Sequence, residues 1–229
     1  MAYTVRHPRQ STLAVTSAAV LAAALLAPAA APAVDGDGDI APRLHRLAGT
    51  APSGHAVGQL ARGKFLVASR SLQDPNFAET VILLVDYNHD GALGVVVNRP
   101  TDVALVEALP EISELRRRKD VVYLGGPVAR DRMLLLVRTR EQPPQSLRVF
   151  DRVFASGNLD ALRKSMARGD SIRAYAGFAG WGPGQLDIEV SRGDWFIGPA
   201  DSDAVFTERP TAVWDSLIER YSGDWASLH

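Results

Sequence analysis

Beyond residue 62 the apolar residues fall into short blocks divided by Gly, Pro, Asn and Asp, and most of these blocks read as strands. Residues 64–68 form the first. Residues 81–85, Val-Ile-Leu-Leu-Val, are an unbroken apolar run, as in a strand covered on both faces. Asn88-His89-Asp90-Gly91 is a turn signal, and residues 92–98 are the returning strand, so this stretch predicts a β-hairpin. Strands are also predicted at 121–124, 133–137, 147–149, 153–154, 171–175 and 195–198. Helical spacing appears at four places. Thr101 is placed to cap a short helix reaching Leu109, and Asn158 to cap one from Leu159 to Arg168 that stops at Gly169. Residues 185–192 read as two turns closed by Gly193. Thr211 is placed to cap a last helix whose stripe is Val213, Trp214, Leu217, Ile218 and Tyr221, ended by Gly223. Strands and helices mix without regular βαβ alternation, which predicts an α+β fold rather than a doubly wound sheet.

The first 61 residues follow another pattern. Arg6 and Arg9 make a basic start, residues 13–27 are alanine-rich and apolar, and Ala31-Pro32-Ala33 supplies an A-x-A ending. That order describes a secretory leader over residues 1–33. The apolar run is shorter than the ~20 residues a spanning helix requires. Residues 34–61 are rich in Gly, Ala, Pro and Asp and read as a flexible linker, with Leu44 and Leu47 allowing one helical turn. The expected organisation is leader (1–33), linker (34–61) and one domain (62–229). Export to the periplasm follows if the leader is real, and a cytoplasmic protein if the start is misassigned.

Composition narrows the chemistry. The chain has 229 residues, 46% of them hydrophobic, no cysteine and a formal charge of −1. Thiolate nucleophiles, disulfides and cysteine zinc sites are excluded, and nothing in the bulk charge draws the chain to nucleic acid or anionic membrane. Its five histidines have no metal-ligand spacing. No G-x-S-x-G is present, and neither phosphate-loop spacing occurs. Arg116-Arg117-Arg118-Lys119 is a basic run without a DNA-binding module, so a solvated helix end is the simpler reading and nucleic acid is disfavoured as a partner. Asp187 and Glu189 diverge by about 200° on a helix and make no paired-carboxylate site on their own. Asp74 before Pro75 reads as a brace for its own loop.

The most specialised segment is Gly177-Phe-Ala-Gly-Trp-Gly-Pro-Gly-Gln-Leu186. Trp181 on a glycine loop offers rigid contact area, with Gln185 beside it. The competing reading is that Trp181 plugs the core while Gln185 bonds the loop. The candidate ligand- or partner-binding residues are Asn98, Arg99, Gly125, Gly126, Pro127, Trp181 and Gln185. No catalytic residue, metal ligand or cofactor is assigned.

Several motifs in order resemble the AlgH/YqgE-like family of bacterial proteins. They are Phe65-Leu-Val-Ala68, Ser71-Leu-Gln-Asp-Pro-Asn-Phe77, Asn88-His-Asp-Gly-Ala-Leu-Gly-Val-Val-Val-Asn-Arg-Pro100, Val122-Tyr-Leu-Gly-Gly-Pro127, the 177–186 segment and Gly193-Asp-Trp195. The resemblance implies an α+β fold with a bifurcated mixed sheet, part of it a small closed barrel, flanked by helices. It implies no established activity or cofactor and a usual cytosolic location, from which residues 1–59 depart. The leading expectation is a non-enzymatic binding or regulatory protein using a rigid Gly/Trp loop surface, with an unidentified protein or small molecule as partner. The alternatives are an enzyme acting on a small anion through carboxylates such as Asp74 or Asp187 with Arg99, and a transcription-linked regulator.

Overall fold

The computed structural model of the chain describes residues 60–226. The leader, most of the linker and the helical turn at Leu44–Leu47 lie outside the described residues.

Ten strands form one curled sheet. In chain order they are β1 (Lys64–Ala68), β2 (Val81–Asn88), β3 (Gly91–Val96), β4 (Pro100–Ala104), β5 (Val121–Leu124), β6 (Val128–Arg138), β7 (Leu147–Phe150), β8 (Val153–Ser156), β9 (Ser171–Trp181) and β10 (Trp195–Pro199). The main path runs β10-β1-β2-β3-β9-β6-β8-β7, and β4 and β5 branch from β9. Helices α1 (Leu105–Ala108), α2 (Leu159–Arg168), α3 (Gln185–Arg192), α4 (Ser202–Val205) and α5 (Val213–Ala226) flank it. The fold is therefore a mixed α+β architecture with a curled half-barrel and helices around it.

The predicted hairpin is present as β2 and β3, with Asn88 paired to Gly91. Its core side is dry: Val81 to Val85 and Val95 to Val97 are at most 1% exposed. Asn158 caps α2 by accepting from the Asp160 N–H at 2.7 Å, and Gly169 closes the helix in the left-handed region. Gly193 closes α3 in the same way. The remaining helix predictions need correction. Thr101 lies on β4, where its hydroxyl donates to the Val122 carbonyl at 2.7 Å. The pairing of β4 with β5 replaces all but one turn of the predicted helix. At the last helix, Pro210 opens a 3-10 turn over Pro210–Ala212 before α5, so Thr211 is not the cap. Helix α5 also continues past Gly223 to Ala226.

The largest correction concerns 177–186. The predicted loop is mostly strand, because β9 runs unbroken to Trp181. Ala92, Leu93 and Gly94 of β3 hold Trp181, Gly180 and Ala179 in antiparallel register. Only the turn before α3 is loop.

One edge of β9 serves two partners. Near its end it pairs with β3, and at Ala174, Tyr175 and Ala176 it pairs in parallel with β5, while β6 occupies the other edge. Gly177 stands at the fork between β3 and β5. The backbones there are too close for side chains. A Cβ on Gly125 would sit 2.3 Å from the Gly177 carbonyl oxygen, and one on Gly177 would sit 2.7 Å from both the Gly126 and Val128 oxygens. Gly177 also has φ +72°, a region that L side chains rarely occupy.

Two apolar cores result. The larger joins β1, β2 and β3 to Trp181, Leu186, Val190, Trp195 and α5. The smaller gathers Leu105, Ile112, Leu115, Val122, Leu135, Leu162 and Ile172 beneath α2. Gly177→Ala combines backbone strain with a main-chain clash and should destabilise the fold by about 3 kcal/mol or more. Gly184→Ala also meets a positive φ, +69°, but has nothing within 4 Å of the added methyl. It should cost only about 1–2 kcal/mol. Urea unfolding of the two variants checks the order; equal losses would show that the fork tolerates a side chain.

Candidate functional site

The end of β9, helix α3 and the start of β10 meet at one carboxylate. Trp181 and Trp195 each donate their indole N–H to Glu189 Oε2, at 2.9 Å in both cases. Gln185 Nε2 donates to Glu189 Oε1 at 3.0 Å, and Gln185 Oε1 accepts from the Gly182 N–H at 3.1 Å. Gln185 and Glu189 are four apart, hence neighbours on one helix face. The turn at 182–184 is thereby fixed at both ends. Glu189 is the residue that sequence reasoning missed. Its signals were the i, i+4 spacing from Gln185 and the two tryptophans whose buried N–H groups need an acceptor.

Phe77 completes an aromatic cluster. Its ring stacks on Trp181 at 6.3 Å between centroids and meets Trp195 edge-on at 5.8 Å. The loop presenting Phe77 is itself laced down. Asp74 Oδ1 accepts from the Asn76 N–H at 2.8 Å, which is the brace expected of it. Arg99 donates to the carbonyls of Asn76 and Ala78 at 2.7 and 2.9 Å. Burial lowers the Arg99 pKa from its ordinary value, against the raising influence of Asp74 and Glu79. Asn98 accepts from the Val81 N–H and donates to the Glu79 carbonyl, each at 2.9 Å. It thereby fixes Glu79 at φ +57°.

The sequence-flagged residues thus occupy three adjoining places. Asn98 and Arg99 lock the 74–80 loop. Gly125 and Gly126 lie at the β9 fork, with Pro127 exposed beside them. Trp181 is 2% exposed and stacked inside, whereas Gln185 is exposed. Above them, Pro183, Gly184 and Gln185 are exposed, and Ile188 on the outer side of α3 is 64% exposed. Asp187 accepts from the Tyr87 hydroxyl at 2.8 Å. Asp74, Asp187 and Arg99 do not come together in either large cleft.

Those clefts lie elsewhere. One, of about 860 Å³, opens between β4–β5 and the 207–212 segment, and Tyr123, Arg173, Lys119 and Arg209 are among its lining. The other, of about 1070 Å³, is arginine-rich and includes Arg138, Arg140, Arg148, Arg152 and Arg168. Within the basic run, Arg118 pairs with Asp120, while Arg116 and Arg117 are exposed at the end of a 3-10 turn. Among the described residues no cluster of three or more His, Asp or Glu is arranged to hold a metal. No described helix is long and apolar enough to cross a membrane.

The Glu189 clamp makes a sharp prediction. Glu189→Gln turns one acceptor into a donor, which must then face either the two indoles or the Gln185 amide. Stability should fall by about 2 kcal/mol. Tryptophan fluorescence followed through urea unfolding measures it. An unchanged midpoint would mean that the indoles find other acceptors.

The segment from β1 through α5 is similar to known proteins. The AlgH-like family model (DUF179) matches residues 65–226. A UPF0301 protein of Streptomyces coelicolor is 35% identical over 172 residues, covering 72% of this chain and 89% of that protein. One from Methylococcus capsulatus is 37% identical over 175 residues, covering 73% and 93%. Among solved structures, the AlgH protein from Pseudomonas aeruginosa aligns with a TM-score of 0.59 at 30% identity, covering 76% of this chain and 92% of that one. A crystal structure of a Corynebacterium diphtheriae protein aligns with a TM-score of 0.63 at 28% identity, covering 71% and 87%. The model spans the hairpin, the glycine fork and the tryptophan clamp alike, and the chain belongs to the AlgH-like family.

Proposed function

We propose that the protein is a non-enzymatic binding or regulatory protein whose contact surface is the turn Gly182–Gln185 with the outer side of α3. The observation that carries this is Ile188, 64% exposed on a helix whose inner residues Leu186 and Val190 are at most 1% exposed. A single exposed aliphatic is ordinary. This one stands on an element already ordered by the Glu189 clamp, beside exposed Pro183 and Gln185. Ordering completed before binding lowers the entropic cost of association. In this reading Gln185 reaches the partner and Trp181 supports the surface from below. Asn98, Arg99, Gly125, Gly126 and Pro127 keep the neighbouring backbone in shape.

The two alternatives have less to stand on. Asp74, Asp187 and Arg99, which a carboxylate enzyme would need, are each engaged by a local partner. For a DNA-linked regulator, Arg118 is already paired with Asp120.

A photo-crosslinking residue at position 188 of the full chain, expressed in cells, tests the proposal. A discrete protein adduct is expected from 188 and not from 103, where Val103 is the other exposed large apolar residue among the described residues, at 46%. Ile188→Asp should change stability by less than about 0.5 kcal/mol, so that loss of partner is not loss of fold. No adduct, or the same adducts from both positions, would remove this surface.

We further propose export, with residues 1–33 as the cleaved leader. N-terminal sequencing of the mature protein should begin near Val34. An intact Met1 in the cytoplasmic fraction refutes it.

A further inference from the structure

Along residues 171–175 of β9 the side chains alternate between the two cores, Tyr175 packing into the larger, and Arg173 is the residue that neither core explains. Ile172 and Ala174 point into the smaller core. Arg173 and Tyr175, two apart, share the opposite face. Tyr123 of β5 is in register with Tyr175 and its ring lies 5.5 Å from the Tyr175 ring. The Arg173 guanidinium lies over the Tyr123 ring, 5.1 Å from its centre, and is held there by its Nη2 donating to the Thr207 carbonyl at 2.7 Å. A guanidinium on a central strand is thus fixed in position on an aromatic platform.

Two polar groups on this face are unpaired. Arg173 Nε and the Tyr175 hydroxyl are the buried side-chain polar atoms without a hydrogen-bond partner among the described residues. Buried polar atoms nearly always find partners, so two on one strand face call for a reason. Burial pushes the Tyr175 phenol above its ordinary range and raises Tyr123 as well, so both keep their protons at neutral pH. The nearby Arg173 charge acts in the opposite, lowering direction on each.

Arg173 and Tyr123 line the cleft of about 860 Å³. Around them the charges are mixed. Arg118 is taken by Asp120. Lys119 and Arg209 are exposed cations in the lining, and Asp102 and Glu208 are exposed carboxylates there. With the outer charges so nearly balanced, a highly charged polyanion gains little here. A compact anion reaching Arg173 gains most.

We propose that this cleft binds a small molecule through one oxyanion, a carboxylate or a phosphate, with Arg173 as its principal donor. The Arg173 guanidinium, half-buried in the cleft lining, supplies the donors, Tyr123 holds its plane, and Tyr175 lies behind it. The planar fork of arginine suits either oxyanion. The cleft is larger than the anion alone and within the size of ordinary ligand sites, so the rest of the molecule lies along the wall from Pro100 to Val121.

Two-dimensional NMR of the full chain, titrated separately with inorganic phosphate and with acetate, tests this. Saturable shifts are expected at the Tyr123, Arg173 and Thr207 amides and at the Arg173 Nε–H resonance. Arg173→Lys should weaken binding by about tenfold or more, since charge is kept and the fork is lost. Arg140→Gln, in the arginine-rich cleft, should leave it unchanged. Saturation by phosphate alone or acetate alone identifies the head group, and either supports the site. No saturation by either anion overturns it, as do shifts centred on Arg140 or an affinity indifferent to Arg173→Lys. Should Arg173→Lys fail to fold, the response of the wild-type Nε–H resonance decides. Neither Ile188 nor Gln185 lines this cleft, so its failure leaves the α3 surface untouched.

Discussion

A carboxylate shared by two indoles holds the end of β9, helix α3 and β10 in one arrangement. Glu189 supplies what Trp181 and Trp195 require, an acceptor for each buried N–H, and both bonds end on the same oxygen. Phe77 can then lie against both rings, so the 74–80 loop is fitted to the clamp rather than formed independently. Arg99 and Asn98 hold that loop by its carbonyls and amides, where no substitute of similar size offers the same donors. Much of the polar chemistry at this end of the molecule is spent on shape, and the surface above it inherits that rigidity.

The glycines have a second, separate role. β9 must accept β3 and β5 along one edge, and the strands part at Gly177 where main chains approach too closely for side chains. Gly125 and Gly126 belong to this crossing. At Gly125 and Gly126 the group that approaches is the chain's own backbone, and Pro127 beside them is exposed.

Local pattern revealed the elements whose reasons are local. The β2–β3 hairpin, the Asn158 cap, α2 and the glycine closing α3 all follow from residues within a few positions of one another. Elements set by distant partners were not legible. Nothing near Thr101 announces that Val122 will draw it into a strand, and nothing in 177–181 announces β3. The candidate site divides in the same way. Trp181 was flagged because glycine and tryptophan together are conspicuous, yet whether its ring faced inward depended on Phe77, more than a hundred residues earlier in the chain. Glu189 escaped notice because it was weighed against Asp187 as an acid rather than against two indoles as an acceptor. Arg173 escaped because one arginine in an alternating strand looks like an ordinary outward residue.

The strand order bears on how the chain is made. During synthesis β1, β2 and β3 emerge first, but β3 is completed by β9 and β1 by β10, both near the end of the chain. Until residues 171–199 leave the ribosome, this early sheet has two unpaired borders flanking a strand whose first five residues are all apolar. Open strand borders invite pairing with other chains. The nascent protein is therefore at its most adhesive between the completion of β3 and the arrival of β10, and the tryptophan clamp, which forms with β10, ends that exposure.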